Sequence, residues 1–184
     1  MDNGASSYRR FLDGDDVGIV EIISDYKDGL ILYINSITGN ISVAEEFMEE
    51  TFVKLVIKKP RFRGKCSFKT WLYTIGRNVA FDSLKKNRNN GTDIIEEYHN
   101  IPDKENLERD YIKKEQKIVL HKTIGKLNSE YQQVLYLIYF EDFDKDEAAE
   151  IMKKSRKQID NLVYRAKMAL KKELERRGFV YEEL

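Results

Sequence analysis

Apolar residues recur at helical spacing along most of the chain. The clearest stripe lies within 68–88, where Phe68, Leu72, Ile75 and Val79 follow at steps of four, three and four residues. One face of a 3.6-residue helix needs this spacing to be buried. The pattern predicts a single long helix, and Ser67 is its expected N-cap because its hydroxyl can accept a bond from a free backbone amide.

The stretch before this helix predicts further helices. Apolar residues fall at about every third or fourth place across 8–39, which is typical of helix. Ser42 and Glu45 have capping-box spacing and are expected to open a helix from Val43 to about Val56. The residues between that helix and Ser67 are predicted to form a loop, because proline and glycine interrupt them.

The second half of the chain predicts a helix-turn-helix. One helix is expected over 111–126, and a second from Leu127 onward. Asp144 and Ser155 each begin a capping-box pattern, which predicts a short helix through Met152 and a longer one to about Arg177. A short helix, a tight turn and a longer helix with a basic leading end are typical of that motif. The expected inward positions of the last helix are Ile159, Val163, Ala166 and Leu170.

The overall prediction is an all-α protein with two small helical domains joined by a flexible linker. Only two prolines and ten glycines in 184 residues favour long helices over a turn-rich β fold. Residues 89–110 are polar, acidic and weakly periodic, so they are assigned to the linker. The first domain is predicted to cover 8–88 and the second 111–178.

Composition excludes several kinds of protein. Cys66 is the sole cysteine, so an internal disulfide is impossible, and it is expected to be an ordinary thiol. His99 and His121 are too far apart in the sequence for zinc-ligand spacing, and we expect no metal or cofactor. No apolar run is long enough to span a membrane and no signal peptide is apparent, so a cytoplasmic protein is expected.

Charge is distributed in blocks although the chain is neutral overall. Residues 54–88 carry 11 basic side chains and one acidic one, and residues 153–177 carry 10 basic and three acidic ones. Acidic residues dominate residues 1–53 and 89–152. Blocks of opposite sign predict separate surfaces for separate partners, and the basic blocks are candidate nucleic-acid surfaces.

The first basic block combines cations with aromatic rings. Trp71 and Tyr73 lie among the basic residues of the long helix, and Phe62 lies in the basic loop. Such a surface can hold a polyanion with unstacked bases. The alternative is a core helix with a solvated basic face, together with a loop in which Phe62 simply packs.

The second basic block has the residue types of a recognition helix. Arginine, glutamine and asparagine near its start can bond base edges in the major groove, while flanking cations hold phosphates. Asp160 would repel phosphate, so it is expected either to turn aside or to bond a cytosine. A helical hairpin with an ordinary basic face is the competing interpretation.

The sequence resembles the bacterial RNA polymerase sigma factors of the small extracytoplasmic-function (ECF) group within the sigma-70 family. In the first half the resemblance rests on Ala44-Glu45-Glu46 and on the series Trp71-Leu72, Ile75, Arg77-Asn78 and Asp82. In the second half it rests on 127–174, with Tyr164-Arg165-Ala166-Lys167 as a close match. These stretches are similar to sigma regions 2 and 4 respectively, in the expected order.

The resemblance implies a role for each charged surface. The acidic helix would bind the clamp of core RNA polymerase through Glu45, Glu46, Glu49, Glu50 and Phe52. The basic loop and long helix would bind and melt the downstream promoter element through Phe62, Arg63, Lys69, Trp71, Tyr73, Arg77, Asn78, Lys85, Lys86 and Arg88. The last helix would read the upstream element through Arg156, Lys157, Gln158, Asn161, Tyr164, Arg165 and Lys167. An anti-sigma factor is a further implied partner, whereas a small-molecule substrate and membrane insertion are not.

Four residues depart from the family pattern. Asn128 stands where proline is usual, and Glu49 stands where glutamine is common. Asp160 and Leu162 occupy positions that are frequently basic in the recognition helix. These departures do not change the implied roles, but they leave undetermined which DNA sequence the protein recognises in the upstream element.

Three other kinds of protein fit the sequence less well. A stand-alone helix-turn-helix regulator would need neither the Trp71 helix nor the acidic helix. A nucleic-acid enzyme would need paired carboxylates, a nucleophile or a metal group on one face, and the sequence pattern indicates none, so no enzymatic activity is expected. A helical adaptor would not need two strongly basic blocks.

Overall fold

The computed structural model describes residues 3–89 and 119–176, here called the first half and the second half. The first half consists of α1 (Asn3–Leu12), α2 (Val17–Thr38), α3 (Ile41–Lys58) and α4 (Phe68–Asn89). The second half consists of α5, described over 119–124, α6 (Ser129–Leu135), a π-helical turn at Tyr136–Phe140, α7 (Lys145–Met152) and α8 (Arg156–Glu175). The prediction of an all-α fold with two helical domains is confirmed.

The predicted helix starts are mostly correct. Ser67 caps α4 by accepting a bond from the Thr70 amide at 3.1 Å. Asp144 and Ser155 both form complete capping boxes, at the starts of α7 and α8. The predicted start of α3 is wrong by two residues, because the Asn40 side chain accepts from the Val43 amide and the helix begins at Ile41. An asparagine carbonyl serves as well as serine for this bond.

Other boundaries differ from the sequence prediction in smaller ways. The 8–39 stretch is divided by a turn at residues 13–16, and α2 then continues through Gly29 without a break. The helix after Leu127 ends in a π-helical turn that periodicity alone does not indicate. The predicted linker, apart from Asn89, and the first part of the 111–126 helix lie outside the described residues, as do the residues from 177 onward.

The core of the first half lies between α2, α3 and α4. Leu30, Ile34, Leu55 and Leu72 are fully buried there. In the second half, α6, α7 and α8 pack around Val134, Ile151 and Ile159, among others. The predicted inward positions of α8 are confirmed, with Ile159, Val163 and Ala166 buried and Leu170 half-buried.

The two halves also pack against each other. Helix α4 contacts α7, and α2 contacts both α6 and the π-helical turn. The buried apolar residues of the two halves form one cluster, in which the rings of Tyr73 and Phe143 meet edge to face at 4.9 Å between centroids. The backbone carbonyl of Ser36 accepts a bond from the Ser129 hydroxyl at 2.8 Å, also across this boundary.

Glycine permits two of the close approaches. A Cβ at Gly18 would overlap the carbonyl oxygen of Ser7 and approach the amide nitrogen of Phe11, so α2 could not pack as closely against α1. A Cβ at Gly29 would overlap the carboxylate of Glu141 and the hydroxyl of Tyr73. The first contact involves rigid backbone and the second involves side-chain ends. The glycine at position 18 is therefore the stricter requirement.

We predict that Gly18→Ala lowers the free energy of unfolding by about 2 kcal/mol, because the added methyl group overpacks the contact between α1 and α2. Thermal or urea unfolding measures this. Ser24→Ala is the matched control in the same helix, since Ser24 is exposed and its loss is expected to change stability by less than about 0.5 kcal/mol. Equal stability of Gly18→Ala and wild type would show that α1 does not pack as described.

Candidate nucleic-acid interface

The buried face of α4 determines where its other side chains lie around the helix. Phe68, Leu72 and Val79 are buried, as predicted, while Ile75 is half-buried. A helix turns 100° per residue, so Trp71, Asn78 and Lys85, each seven apart, lie close to one line along its surface. Trp71 and Asn78 are half-buried and Lys85 is exposed. This line is called the Trp71 stripe below.

Trp71 rests on a cluster of aromatic rings. Its ring centroid lies 5.4 Å from that of Tyr8, 5.2 Å from Phe62 and 5.5 Å from Phe68. Phe62 is therefore half-buried against α4, as the competing interpretation of the loop expected. The basic loop residues Arg61, Arg63 and Lys65 remain exposed beside this cluster.

Tyr73 does not lie on the exposed face of α4, so that part of the sequence prediction is wrong. Its side chain is fully buried, and its hydroxyl donates to Oε2 of Glu141 at 2.6 Å. Burial, with a further contribution from the Glu141 carboxylate, raises the pKa of the Tyr73 phenol well above its usual range. Periodicity placed Tyr73 off the main apolar stripe correctly, but it gave no sign that a second half would cover that side.

Lys69 lies on the same side as Tyr73. Its Nζ is 3.0 Å from Oε2 of Glu141 and donates to the Glu141 carbonyl oxygen at 2.7 Å. The same ammonium group lies 4.7 Å from the centroid of the Phe143 ring. The charge of Lys69 is therefore directed at the second half.

The other predicted cations of α4 face different surroundings. The guanidinium of Arg77 is half-buried and lies 4.3 Å from the centroid of the Phe81 ring. Lys85 and Lys86 are exposed. The side chain of Arg88 lies outside the described residues. Among the described residues of this surface, the exposed basic side chains are therefore those of the loop and of Lys85 and Lys86 at the far end of the helix.

Helix α3 presents the predicted acidic face. Glu45, Glu46, Glu49 and Glu50 are all exposed, and Glu50 accepts a bond from the Ser83 hydroxyl of α4 at 3.3 Å. Phe52 is only 5% exposed and lies in the core, so its place in the predicted surface set is wrong. Phe52 lies at helical spacing from the buried Phe47 and Leu55, so its burial agrees with the periodicity of α3 rather than with a surface role.

Three exposed apolar residues of α3 were missed. Val53 is 51% exposed, Val56 is 40% exposed and Ile57 is 69% exposed, on the turns that follow the four glutamates. They lie off the buried face of the helix, which Phe47, Phe52 and Leu55 form. An apolar residue off the buried stripe was the signal available in the sequence.

The N-terminal part of α8 is exposed to solvent. The seven residues predicted to read the upstream element are all exposed: Arg156, Lys157, Gln158, Asn161, Tyr164, Arg165 and Lys167. The turn before the helix passes through Lys153, whose φ of 53° lies in the left-handed region. Leu162 is buried, which explains an apolar residue at a position that is frequently basic in the family.

Asp160 is turned toward α7. Its carboxylate pairs with Lys145 at 2.7 Å and with Arg156 at 3.6 Å. These contacts, led by the bond from Lys145, hold the pKa of the Asp160 carboxyl below its usual range. Arg156 also bonds Asp146, which raises the pKa of its guanidinium. The structure therefore has the turned-aside arrangement of Asp160.

Two kinds of site are absent from the described part of the chain. Its histidine, cysteine and acidic side chains form no group that could hold a metal ion. None of its helices combines the length and the apolar character needed to cross a bilayer.

Comparison with known families matches both halves. The family description Sigma-70 region 2 matches residues 22–90, and Sigma-70, region 4 matches residues 117–170. The first match contains α3 and α4, and the second contains α7 and most of α8.

Curated relatives cover most of the chain. The RNA polymerase sigma factor YlaC of Bacillus subtilis is 27% identical over 164 residues, which are 85% of this chain and 91% of that protein. The ECF RNA polymerase sigma factor SigW of the same organism is 26% identical over 170 residues, or 88% and 91% of the two chains. The likeness therefore extends over nearly the whole length of these relatives.

Solved structures share the fold. RpoE from Bartonella quintana, in complex with the anti-sigma factor NepR, has a TM-score of 0.68 at 21% identity and covers 84% of this chain and 95% of its own. CnrH, in complex with the cytosolic domain of CnrY, has a TM-score of 0.62 at 18% identity and covers 94% and 95%. Because both sigma regions match in order, the chain belongs to the sigma-70 family of RNA polymerase sigma factors, in the ECF group.

Proposed function

We propose that this sigma factor binds core RNA polymerase through α3, holds the melted downstream promoter element on α4 and reads the upstream element as duplex with α8. The observation that carries the proposal is that the Trp71 stripe and the leading end of α8 are both accessible on one chain. One surface has the aromatic and cationic character suited to unpaired bases, and the other has the form of a major-groove reader.

The α3 surface is proposed as the polymerase contact. Four exposed glutamates are followed by exposed Val53 and Ile57, so the helix offers charge for steering and apolar area for burial. Charge complementarity mainly raises the association rate and the specificity of an interface. Phe52 supports this surface from beneath by anchoring α3 in the core.

The proposed melting surface consists of the Trp71 stripe and the basic loop. Trp71 is half-buried on three aromatic neighbours, which fixes its ring while leaving part of it accessible. A base that leaves the duplex loses its stacking, and a fixed aromatic ring restores about 1–3 kcal/mol per base. Arg63, Lys85 and Lys86 are exposed and suited to hold the phosphates on either side.

The proposed duplex reader is the first three turns of α8. Gln158 and Asn161 can bond adenine, Arg165 can bond guanine, and Lys157 is placed among them for phosphate. The Gln158 carbonyl oxygen also accepts from the Ser155 amide at 2.7 Å in the capping box, so base contact would have to use its remaining groups. Asp160 is paired with Lys145 and is not part of the proposed duplex-binding surface.

The remaining parts of the proposal follow from the family. We assign the chain no catalytic step of its own, and we include an anti-sigma factor among its partners, since RpoE was solved with one. The divisions at 8–88, 89–110 and 111–178 remain our proposed domain boundaries. The alternative is a stand-alone helix-turn-helix regulator, and the following test distinguishes it from a sigma factor.

We predict that the purified chain directs core RNA polymerase to start transcription at specific promoters. A transcription assay over a broad promoter library, followed by mapping of the start sites, measures this. Core enzyme without the chain is the control. If an active core enzyme gives no specific starts, while the chain alone binds duplex DNA tightly, the stand-alone regulator is the better description.

We also predict that Trp71→Ala reduces promoter opening more than it reduces closed-complex binding. Loss of one stacking partner is expected to lower the open fraction roughly tenfold. Permanganate reactivity reports unpaired thymines, and a mobility shift at low temperature reports the closed complex. Trp71→Phe is the matched control, because it keeps the aromatic cluster packed and preserves a ring for stacking. Equal loss in both steps for Trp71→Ala would mean that Trp71 acts only in packing.

A further inference from the structure

We propose that Asp146 and Asp160 act as internal counter-ions that weaken sequence-independent binding of α7 and α8 to DNA and so leave recognition to the base contacts of α8. These two carboxylates pair with Lys145 and Arg156, and the four residues are here called the charge network. The inference rests on the proposed function of α8 as a duplex reader, and it adds residues that set the selectivity of that reader.

The charge network joins the first turn of α7 to the first two turns of α8. The Lys145 ammonium lies 2.7 Å from Oδ1 of Asp160, and Nη1 of Arg156 lies 2.5 Å from Oδ2 of Asp146. Nε of Arg156 lies 3.6 Å from Oδ2 of Asp160, so Asp160 contacts both cations. Because the network contains two cations and two carboxylates, it has no net formal charge.

The basic residues near the start of α8 are of two kinds. Lys157 and Arg165 are exposed and form no ion pair with any residue of 3–89 or 119–176. Arg156 is also exposed, but its bond to Asp146 and the nearby carboxylate of Asp160 raise the pKa of its guanidinium. The unpaired cations therefore lie among the proposed base-reading positions, and the neutralised ones lie at the edge that contacts α7.

The first turn of α7 has the same sign of charge as DNA. The N-terminus of a helix usually attracts phosphate through its free amides and its dipole. In α7 the Asp144 carboxylate already accepts from the amides of Asp146 and Glu147, at 2.7 and 2.8 Å. The Asp146 side chain is 72% exposed, so its carboxylate would meet a phosphate that approached Arg156. This end of the helix-turn-helix therefore resists contact with the DNA backbone.

Fold stability does not account for the charge network. Its side chains are between 40% and 72% exposed, and exposed ion pairs contribute little to the free energy of folding. Helices α7 and α8 already pack through their buried faces, which include Ile151 and Ile159. Charges that add little stability at a proposed DNA surface are better explained by their effect on DNA binding.

The expected effect on selectivity follows from how each type of complex uses cations. Binding to DNA of arbitrary sequence depends on cations that neutralise phosphates and release counterions. Lys145 or Arg156 can join a phosphate only by leaving a carboxylate unpaired beside the DNA. A complex held by base contacts is fixed in register, whereas a non-specific complex can shift to the position that uses these cations best. The network therefore lowers non-specific affinity more than specific affinity, and specificity is the difference between the two.

The test compares Asp160→Asn and Asp146→Asn with Glu150→Gln. Asparagine keeps the size of aspartate and removes its charge. Glu150 is exposed one turn after Asp146 on the same face of α7, and it forms no ion pair with a described residue. Its substitution therefore removes one charge without releasing a cation. The affinity of the full chain for a duplex of random sequence is measured from about 50 to 200 mM salt.

We expect Asp160→Asn to raise the affinity for random duplex about fivefold at the lowest salt concentration and to steepen the salt slope by about one, because one more cation can reach a phosphate. Asp146→Asn should act in the same direction through Arg156, and Glu150→Gln should remain close to wild type. In the double variant Asp160→Asn with Lys145→Gln most of the gain should disappear, since the released cation is missing. Thermal unfolding of each variant confirms that the helices remain folded.

Selectivity is measured on the same variants in complex with core polymerase, with a mapped promoter and with that promoter carrying a scrambled upstream element. We expect Asp160→Asn to lower the ratio of the two affinities about threefold. An unchanged ratio would show that the network does not set selectivity. Loss of promoter affinity confined to one base pair would show that Asp160 reads a base, which would also overturn the inference.

The salt slope provides two further ways to contradict the inference. An unchanged slope in both aspartate variants would show that these carboxylates do not restrain the cations. An equal change in Glu150→Gln would show a general effect of charge rather than one of ion pairing. If the wild-type complex prefers no upstream element, the proposed function fails instead, because the slope on random duplex requires neither promoter nor polymerase.

Discussion

The ring of Phe68 lies against four other aromatic rings, and the first half is assembled around it. Its centroid is within 5.5 Å of Tyr8 and Trp71, 5.6 Å of Phe62 and 5.9 Å of Tyr26. These rings come from α1, α2, the basic loop and the next turn of α4. Because Phe68 is also the first residue of α4 and is fully buried, it fixes where that helix begins and how it rotates.

The rotation of α4 determines which chemistry each side can offer. Burial of Phe68, Leu72 and Val79 directs Trp71 and Lys85 to one side and Lys69 and Tyr73 to another. The first side carries the surface proposed for unpaired bases. The second side meets the second half through Glu141. One helix thus carries both the proposed DNA surface and the side chains that contact Glu141.

Local signals in the sequence predicted most of the helices and much of the candidate site. Capping boxes located α7 and α8, and the 3.6-residue pattern identified the buried faces of α4 and α8. The errors have different causes. Tyr73 is covered by residues nearly 70 positions away, whereas Phe52 lies on the locally predictable buried face of α3 and was assigned to the surface only by the family resemblance. Periodicity shows that a face is apolar or polar but not which distant segment will cover it. The π-helical turn likewise depends on packing that no short stretch specifies.

In the proposed complex with core polymerase, α4 holds strand-separated DNA while α8 holds duplex. Photo-crosslinking amino acids at Asn78 and Asn161, in the complex of this chain with core polymerase and a mapped promoter, distinguish the two kinds of DNA. We expect position 78 to crosslink to the permanganate-reactive downstream strand, and position 161 to crosslink to paired DNA upstream. Crosslinks from both positions to one segment, or from position 78 to fully paired DNA only, would contradict the proposal.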